Sequence, residues 1–305
     1  MKARRSKIKV GWRVVMGVAL AAMLSSAHAL KVDMYAIGNW SAGNCAPGDT
    51  DSNRPSWPGM AQAWYDIMGA MGETRTGKFI DGNMTVRRFC DPSSKAGCQD
   101  FSWVDWPDAA IVAAHGYDAG NGWGALMRNS DLGTCSLVMG AGASGSTFVG
   151  DNNLKFLHAS SCLSLNDNYF SNMRVAMKKP GSSKGLHEMT GFHGVMFISS
   201  SFNGNYANTA FLGHFIAVSR AWTSQHYKSN QFSCAAYDPH NYYGTCQDQC
   251  PTAMTVGATG SAALNRLLNE RYNNTAAFGS PGGRSYYAWM GYRGCDPVAQ
   301  DAFNP

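Results

Sequence analysis

The sequence predicts an α/β fold with a mostly parallel sheet flanked by helices, and three observations support this. Residues 31–37, 108–114 and 154–157 form apolar runs of strand length. Residues 58–71 and 208–227 carry apolar side chains at helical spacing. These strands and helices alternate along the chain, which is typical of a parallel sheet covered by helices.

In the first half of the chain, each predicted element has its own local pattern. The strand at 31–37 alternates polar and apolar residues before it becomes wholly apolar. The helix at 58–71 begins at a proline and is followed by a glycine, which favour these positions. Residues 108–114 and 154–157 are apolar almost throughout, the pattern of strands that are buried on both faces.

In the second half of the chain, the apolar run 195–198 predicts a further strand. Residues 208–227 then predict the longest helix, and we expect its apolar stripe to face the core. That stripe consists of Phe211, Leu212, Phe215, Ile216, Val218 and Trp222. Residues 229–305 are rich in aromatic residues and cysteine, with one helix near 262–271 and little strand pattern. We interpret them as a disulfide-stapled extension packed on a sheet domain formed by residues 30–228.

Residues 1–29 have the pattern of a secretory signal peptide. A basic segment precedes the apolar residues 14–24, and Ala27-His28-Ala29 matches a cleavage site. The mature chain is therefore expected to begin at Leu30 and to be exported, either to the periplasm or out of the cell. The apolar segment is too short to span a bilayer, so we expect no stable membrane insertion.

The charge of the chain depends on this segment. The full sequence has 25 Lys and Arg against 20 Asp and Glu. Six of the basic residues and none of the acidic ones lie within residues 1–29. The mature chain therefore has a net charge of about −1 and lacks the basic excess of nucleic-acid-binding proteins. We expect no nucleic-acid partner.

All nine cysteines lie after the predicted cleavage site. Most should form disulfides in an oxidising compartment, and an odd number leaves at least one unpaired. Cys162 is the best candidate for the free thiol, because a strand-end cysteine deep in the sheet is poorly placed to form a bridge. Cys90–Cys98 and Cys246–Cys250 are plausible short-loop bridges. Alternatively, Cys162 is an inert core thiol, or it is paired and another cysteine is free.

A histidine and a cysteine follow the two most apolar strands. His115-Gly116 ends the run 108–114, and Cys162 follows the run 154–157 after a stretch of small residues. The 47 residues between them allow one crossover, which would place the two strand ends side by side. A neighbouring imidazole can activate a thiol and lower its pKa. The N–H groups of Gly116 and Cys162 could then stabilise an oxyanion.

These motifs resemble those of the caspase–legumain–gingipain group of cysteine peptidases over roughly residues 108–227. The resemblance implies a caspase-like sheet domain, a peptide or protein substrate and a thioester intermediate. It implies that Cys162 is the nucleophile, His115 the general acid/base and Gly116 an oxyanion donor. Ser160-Ser161 precede the cysteine where the group usually has an acidic residue or alanine. This difference leaves an inactive relative as an alternative.

Three further polar residues are candidates for the cleft: Asp118, His187 and His193. His187-Glu188 does not complete a zinc-peptidase motif, because Gly191 stands where the second histidine is required. We therefore expect no metal and no cofactor. A weaker alternative is a metal-dependent enzyme that uses His115, His187 and His193.

The other alternative to an enzyme is a catalytically inactive, secreted protein of the same fold that binds glycan or protein. Its binding surface would be formed by aromatic residues near the C-terminus, although these residues more often fill a small core. They are Tyr237, Tyr242, Tyr243, Tyr286, Tyr287 and Trp289.

Overall fold

The computed structural model describes residues 29–45, 53–140, 149–229, 248–292 and 295. The predicted leader, apart from its last residue, lies outside the described residues. Within the described ranges, no helix is both long enough and apolar enough to cross a membrane.

A seven-stranded sheet forms the centre of the molecule. Its strands are β1 Lys31–Ala36, β2 Thr74–Ile80, β3 Ala109–Ala113, β7 Phe156–Ser160, β8 Glu188–Phe192, β9 Pro251–Gly257 and β10 Tyr286–Gly291. They are arranged in the order β2-β1-β3-β7-β8-β9-β10. The first five in this order run parallel, β9 is antiparallel to β8, and β10 is antiparallel to β9. The prediction of an α/β fold with a mostly parallel sheet is confirmed.

Helices flank this sheet. They are α1 Ser56–Ala70, α2 Phe170–Ala176, α3 Asn203–Leu212, α4 Val218–His226, α5 Gly260–Asn269 and α6 Thr275–Phe278. The predicted helix at 58–71 is confirmed as α1, which buries Trp57, Met60, Trp64 and Met68 in the main core. The predicted helix near 262–271 corresponds to α5.

A small antiparallel sheet lies between β3 and β7 in the chain. It consists of β4 Gly116–Asp118, β5 Gly122–Asp131 and β6 Thr134–Gly140, in that order. The glycine-rich segment 116–124 forms the first hairpin of this sheet. Gly120 has a φ of 79° at the turn, a left-handed conformation that glycine adopts without strain.

The strand predicted at 195–198 is wrong, because the sheet uses β8 Glu188–Phe192 instead. Glu188 and Thr190 are fully buried in β8. Because these residues are polar, the sequence of β8 lacks the apolar pattern of a buried strand. The apolar run 195–198 is only partly buried and follows the sheet at its carboxyl edge.

The single helix predicted at 208–227 is also wrong. It is two helices, α3 and α4, which are separated by residues 213–217. The Val218 N–H donates to the Glu270 carbonyl at the start of α4, so tertiary contact sets this boundary. Phe211, Phe215 and Ile216 are exposed around the break and do not face the core.

Residues after 229 contribute more strand than the sequence predicts. β9 lies between β8 and β10 within the main sheet, so this part of the chain extends the sheet. Thr252, Thr255 and two small residues interrupt the apolar pattern of β9, although the whole strand is buried.

Three disulfides join described residues: Cys45–Cys135, Cys90–Cys98 and Cys250–Cys295. The predicted Cys90–Cys98 bond is confirmed. The predicted Cys246–Cys250 bond is wrong, because Cys250 bonds Cys295; Cys246 itself lies outside the described residues. The three bonds fit a chain that folds in an oxidising compartment.

Candidate functional site

The register of β3 against β7 places His115 and Cys162 at the same edge of the sheet. The two strands are adjacent and parallel, and Ala113 pairs with Ser160. His115 and Cys162 each lie two residues beyond this pair. Since the carboxyl ends of parallel strands meet at one sheet edge, the register brings the two residues to neighbouring positions there.

The backbone that follows His115 packs directly on that of Cys162. A Cβ atom at Gly116 would overlap the carbonyl oxygen of Cys162 and the hydroxyl of Ser161. Only glycine allows this approach without a backbone shift. The His115-Gly116 segment and the cysteine turn therefore form one structural unit.

The Gly116 N–H points away from the strand β5. The Leu126 N–H donates to the His115 carbonyl at 2.9 Å, and Gly116 pairs with Ala125 in the next register position. Antiparallel pairs alternate between hydrogen-bonded and non-hydrogen-bonded positions, so the Gly116–Ala125 pair is non-hydrogen-bonded. This donor is directed outwards from the hairpin, as an oxyanion donor must be.

Cys162 is a free, partly exposed cysteine, as the sequence predicts. Its Sγ accepts a hydrogen bond from the Met196 N–H at 3.4 Å. Burial raises the pKa of the Cys162 thiol, while the Met196 hydrogen bond and the charge of Arg54 act to lower that pKa. The expectation of a lowered thiol pKa is wrong for this state of the protein, because burial outweighs the groups that favour the thiolate.

The turn after Cys162 has an unusual backbone that hydrogen bonds hold in place. Leu163 has a φ of 55°, and its N–H donates to the Gly194 carbonyl at 2.8 Å. The Ser164 hydroxyl donates to the Ser161 carbonyl at 2.8 Å and accepts from the Phe192 N–H at 2.9 Å. Left-handed conformations of non-glycine residues cost about 1–3 kcal/mol and concentrate at functional sites.

The two serines before Cys162 anchor this turn to the core. The hydroxyls of Ser160 and Tyr206 are 2.6 Å apart, and the Trp123 indole N–H donates to the Ser161 hydroxyl at 3.1 Å. Both serines are fully buried. Ser160 and Ser161 therefore have structural roles behind the cysteine turn.

The ring of His115 packs against two tryptophans that the sequence did not single out. The His115 centroid lies 4.5 Å from that of Trp40 and 5.0 Å from that of Trp57. Both indoles are fully buried, whereas His115 is partly exposed. Trp40 follows the strand β1, whose carboxyl end meets the same sheet edge. The two rings restrict the orientation of the imidazole.

Asp118 and His193 lie near this edge but have structural partners. Asp118 is exposed on β4, and its carboxylate accepts the Gly120 N–H at 2.7 Å in the hairpin turn. His193 directly follows β8, and its Nε2 lies 2.7 Å from Asp167 Oδ1. The buried Nδ1 of His193 has no hydrogen-bond partner among the described residues. His193 is therefore the better placed of the two for a role near Cys162.

His187 does not lie at this edge, and its predicted place in the cleft is wrong. It precedes β8 and is therefore at the amino end of the sheet, where its Nδ1 lies 2.5 Å from Glu270 Oε1. The structure separates it from His115 and Cys162 by the length of the strands. The alternative metal site of His115, His187 and His193 fails for the same reason.

The C-terminal aromatic residues do not form one described surface. Tyr237, Tyr242 and Tyr243 lie outside the described residues. Trp289 is buried against Phe170, with ring centroids 5.3 Å apart, and Tyr286 is half exposed. Of the described members, Trp289 therefore fills the core, Tyr287 packs partly against it, and Tyr286 stays on the surface.

The fold and the site together define an α/β protein with a free cysteine and a histidine at the ends of two adjacent central strands. Residues 51–257 match the model of a family described as a domain of unknown function, DUF6345. The chain belongs to this family, and the matched region contains both His115 and Cys162. No curated protein matches the chain, and no solved structure matches it.

Proposed function

We propose that the protein is a cysteine peptidase, or a related acyl-transfer enzyme, that uses Cys162 as the nucleophile and His115 as the general base. One observation carries this proposal: the register of β3 against β7 gives both residues equivalent positions at one sheet edge. The packing of Gly116 on Cys162 and the left-handed Leu163 support it.

In the proposed reaction, Cys162 Sγ attacks the carbonyl carbon of a peptide bond while its proton passes to His115. The resulting oxyanion accepts hydrogen bonds from the N–H groups of Gly116 and Cys162. Collapse of this intermediate breaks the C–N bond, and His115 gives the proton to the departing amine. The thioester is then cleaved by water, or by an amine in a transfer reaction, and the thiol is restored.

The raised pKa of the Cys162 thiol bears on the first step of this reaction. A thiol that is neutral at rest needs a base to remove its proton during attack. His115 has that role in the proposal, and Trp40 and Trp57 hold its ring. The reaction is then general-base catalysis rather than attack by a preformed thiolate.

The resemblance to caspase-type peptidases supports the same assignment. The resemblance implies a mostly parallel sheet in which a histidine and then a cysteine follow neighbouring strands. We propose on this basis a caspase-like domain, a peptide or protein substrate and export by the N-terminal segment. The motifs identify no specificity pocket. The substrate side chain that the enzyme would prefer must therefore be found by experiment.

The test combines thiol labelling with a peptide screen. Iodoacetamide should modify native wild-type protein at Cys162, and mass spectrometry of the digest should locate the label. Because burial raises the pKa of this thiol, the labelling rate should still be rising at pH 9. A Cys162→Ala variant is the control for the site of modification.

The same protein is then incubated with a library of fluorogenic peptides. Turnover by wild type should disappear in Cys162→Ala and fall by about 10²–10⁴-fold in His115→Ala, while both variants keep the wild-type circular dichroism spectrum. If native Cys162 is inert to the reagent and no peptide is cleaved, the enzyme assignment fails. The inactive binding protein is then the better interpretation.

A further inference from the structure

Three carboxylates meet at the opposite end of the strands that carry the candidate site. Asp91, Asp100 and Asp151 each place one oxygen so that these oxygens all lie within 4.8 Å of one another. Asp91 and Asp100 both lie in the segment before β3. The Cys90–Cys98 disulfide closes a loop that contains Asp91, and Asp100 follows this loop. Asp151 belongs to the segment before β7.

Asp100 has an unsatisfied oxygen in this cluster. The residue is 1% exposed. Its Oδ1 accepts the Phe101 N–H at 2.8 Å, but its buried Oδ2 has no hydrogen-bond partner among the described residues. Buried carboxylate oxygens are nearly always bound to a donor or a cation. This oxygen is therefore free to bind a proton or a cation.

The local charge is also unbalanced. Lys179 Nζ lies 2.7 Å from Asp91 Oδ2 and 3.1 Å from Asp151 Oδ2. A fourth carboxyl, that of the fully buried Asp105, accepts the Gly150 and Asp151 N–H groups. Among the described residues of this cluster, four carboxyls thus accompany one ammonium, which contacts two of them.

We propose that Asp91, Asp100 and Asp151 bind a divalent cation, with calcium as the ion that the site fits best. The ligand atoms are all carboxylate oxygens, which calcium and magnesium prefer, and the cluster offers no histidine or thiolate for zinc. Magnesium requires near-ideal octahedral geometry, whereas calcium accepts an irregular set of oxygens with water completing its shell. Lys179 remains beside the ion as a partner of Asp91.

A cation at this position would join the two segments that lead into β3 and β7. Asp105 already connects them, because its carboxylate accepts N–H groups from Gly150 and Asp151, and its carbonyl accepts the Asn153 N–H at 3.0 Å. The ion would reinforce this connection at the amino ends of the strands. Binding should therefore stabilise the folded protein.

The experiment is a calorimetric titration of chelator-treated, full-length mature protein with calcium chloride, accompanied by thermal unfolding. We expect one calcium ion to bind with a dissociation constant of about 10⁻⁴–10⁻³ M, as in extracellular calcium modules. At 10 mM calcium, the melting temperature should rise by about 3–6 °C. Magnesium chloride at the same concentration and sodium chloride at the same ionic strength should have a smaller effect.

Two variants test the assigned ligands. Asp100→Asn should reduce calcium affinity at least 10-fold, while Asp66→Asn, which removes an exposed carboxylate from the Arg75 ion pair, should leave it unchanged. Lys179→Gln should bind calcium more tightly than wild type, because a competing positive charge is removed. If Lys179 is only a structural ion-pair partner, this variant is destabilised and calcium does not restore its melting temperature.

The proposal is overturned if wild-type protein shows neither a binding isotherm nor a shift in melting temperature with calcium. Protons on Asp100 and Asp105 would then neutralise the cluster. It is also overturned if Asp100→Asn binds calcium as tightly as wild type, because the ion would then lie elsewhere.

Discussion

The two ends of the β3–β7 pair bury polar groups of different kinds. At the carboxyl end, neutral groups surround Cys162: buried serine hydroxyls, indole rings and backbone N–H donors. At the amino end, carboxyls are buried, namely the cluster around Asp100 and, on the neighbouring β8, Glu188. The same sheet therefore separates a thiol environment from an acidic environment by the length of one strand.

Burial has the same electrostatic effect at both ends, but its consequences differ. It raises the pKa of Cys162 and that of Asp100, because the charged form of each loses its hydration. In the proposed reaction, a neutral thiol needs a base only during the attack, and His115 has that role. A buried carboxyl must keep a proton or acquire a cation at all times. Under the two proposals, covalent chemistry belongs to the carboxyl end and ion binding to the amino end.

The largest effect that would test this comparison is expected from Gly116→Ala. The added methyl group would overlap backbone and hydroxyl oxygens of the cysteine turn, so the turn must shift. We expect a loss of about 1–3 kcal/mol in the free energy of unfolding, as for other overpacked sites. Cys162 labelling and any peptide turnover should change as well, because the turn carries the thiol. Urea unfolding and iodoacetamide kinetics measure the two effects.

Gly204→Ala is the matched control. Gly204 lies in α3, and a Cβ atom there would meet no neighbour within 4 Å. This variant should be as stable as wild type or about 0.4–1 kcal/mol more stable, with unchanged labelling of Cys162. If Gly116→Ala behaves in the same way as this control, the close contact between the histidine and cysteine segments is not needed for the site.

At the amino end, Glu188→Gln should alter the pH dependence of stability. Burial and the charge of Glu270 raise the pKa of Glu188 well above its usual value, and neither of its buried oxygens has a hydrogen-bond partner among the described residues. A raised carboxyl pKa stabilises the fold at low pH, and this contribution is lost as pH rises through the folded-state pKa. The free energy of unfolding of wild type relative to Glu188→Gln should therefore fall from about pH 4 upwards, by at most about 1.4 kcal/mol per pH unit.

Chemical denaturation at pH 5, 7 and 9 measures this difference. Asp66→Asn is again a suitable control, because it replaces a carboxylate by an amide at an exposed position. If the free energies of unfolding of wild type and Glu188→Gln change with pH in parallel, the buried Glu188 carboxyl does not contribute to the pH dependence of stability.

The sequence predicted the strand pair at the centre of the site because those strands are apolar almost throughout. Their ends carry His115-Gly116 and Cys162, and the 47 residues between these are enough for one crossover between adjacent parallel strands. By contrast, β8 escaped prediction because it buries Glu188 and Thr190. Thr190 depends on a tertiary partner, since its Oγ1 lies 2.7 Å from His158 Nδ1. A pattern of apolar residues cannot reveal a strand that depends on such partners.

Other parts of the site depend on contacts that the local sequence does not encode. Trp40 and Trp57 reach His115 from a segment some 60–75 residues earlier, and no spacing rule connects them. Asp91, Asp100 and Asp151 likewise come from two segments that meet only in the fold. The break between α3 and α4 depends on the hydrogen bond from Val218 to Glu270. Gly213, a poor helix former, also stands at the end of α3.

The smallest effect concerns the anchor behind the cysteine turn. Tyr206→Phe removes the hydroxyl that lies 2.6 Å from the Ser160 hydroxyl, both residues being buried. We expect a loss of about 1 kcal/mol in the free energy of unfolding, the usual net value of such a hydrogen bond. The Ser160 hydroxyl keeps a weak acceptor in Met196 Sδ at 3.7 Å, so the turn should retain its shape.

Urea unfolding of Tyr206→Phe would measure this loss, and iodoacetamide kinetics would report on Cys162. The labelling rate should stay within about 3-fold of wild type, because the turn is also held by Ser161, Leu163 and Ser164. A large increase in labelling would mean that the Tyr206 hydroxyl alone keeps the thiol half-buried. In that case the raised pKa of Cys162 would depend on one removable contact, and the contrast between the neutral and acidic ends of the sheet would rest on Tyr206 rather than on the sheet itself.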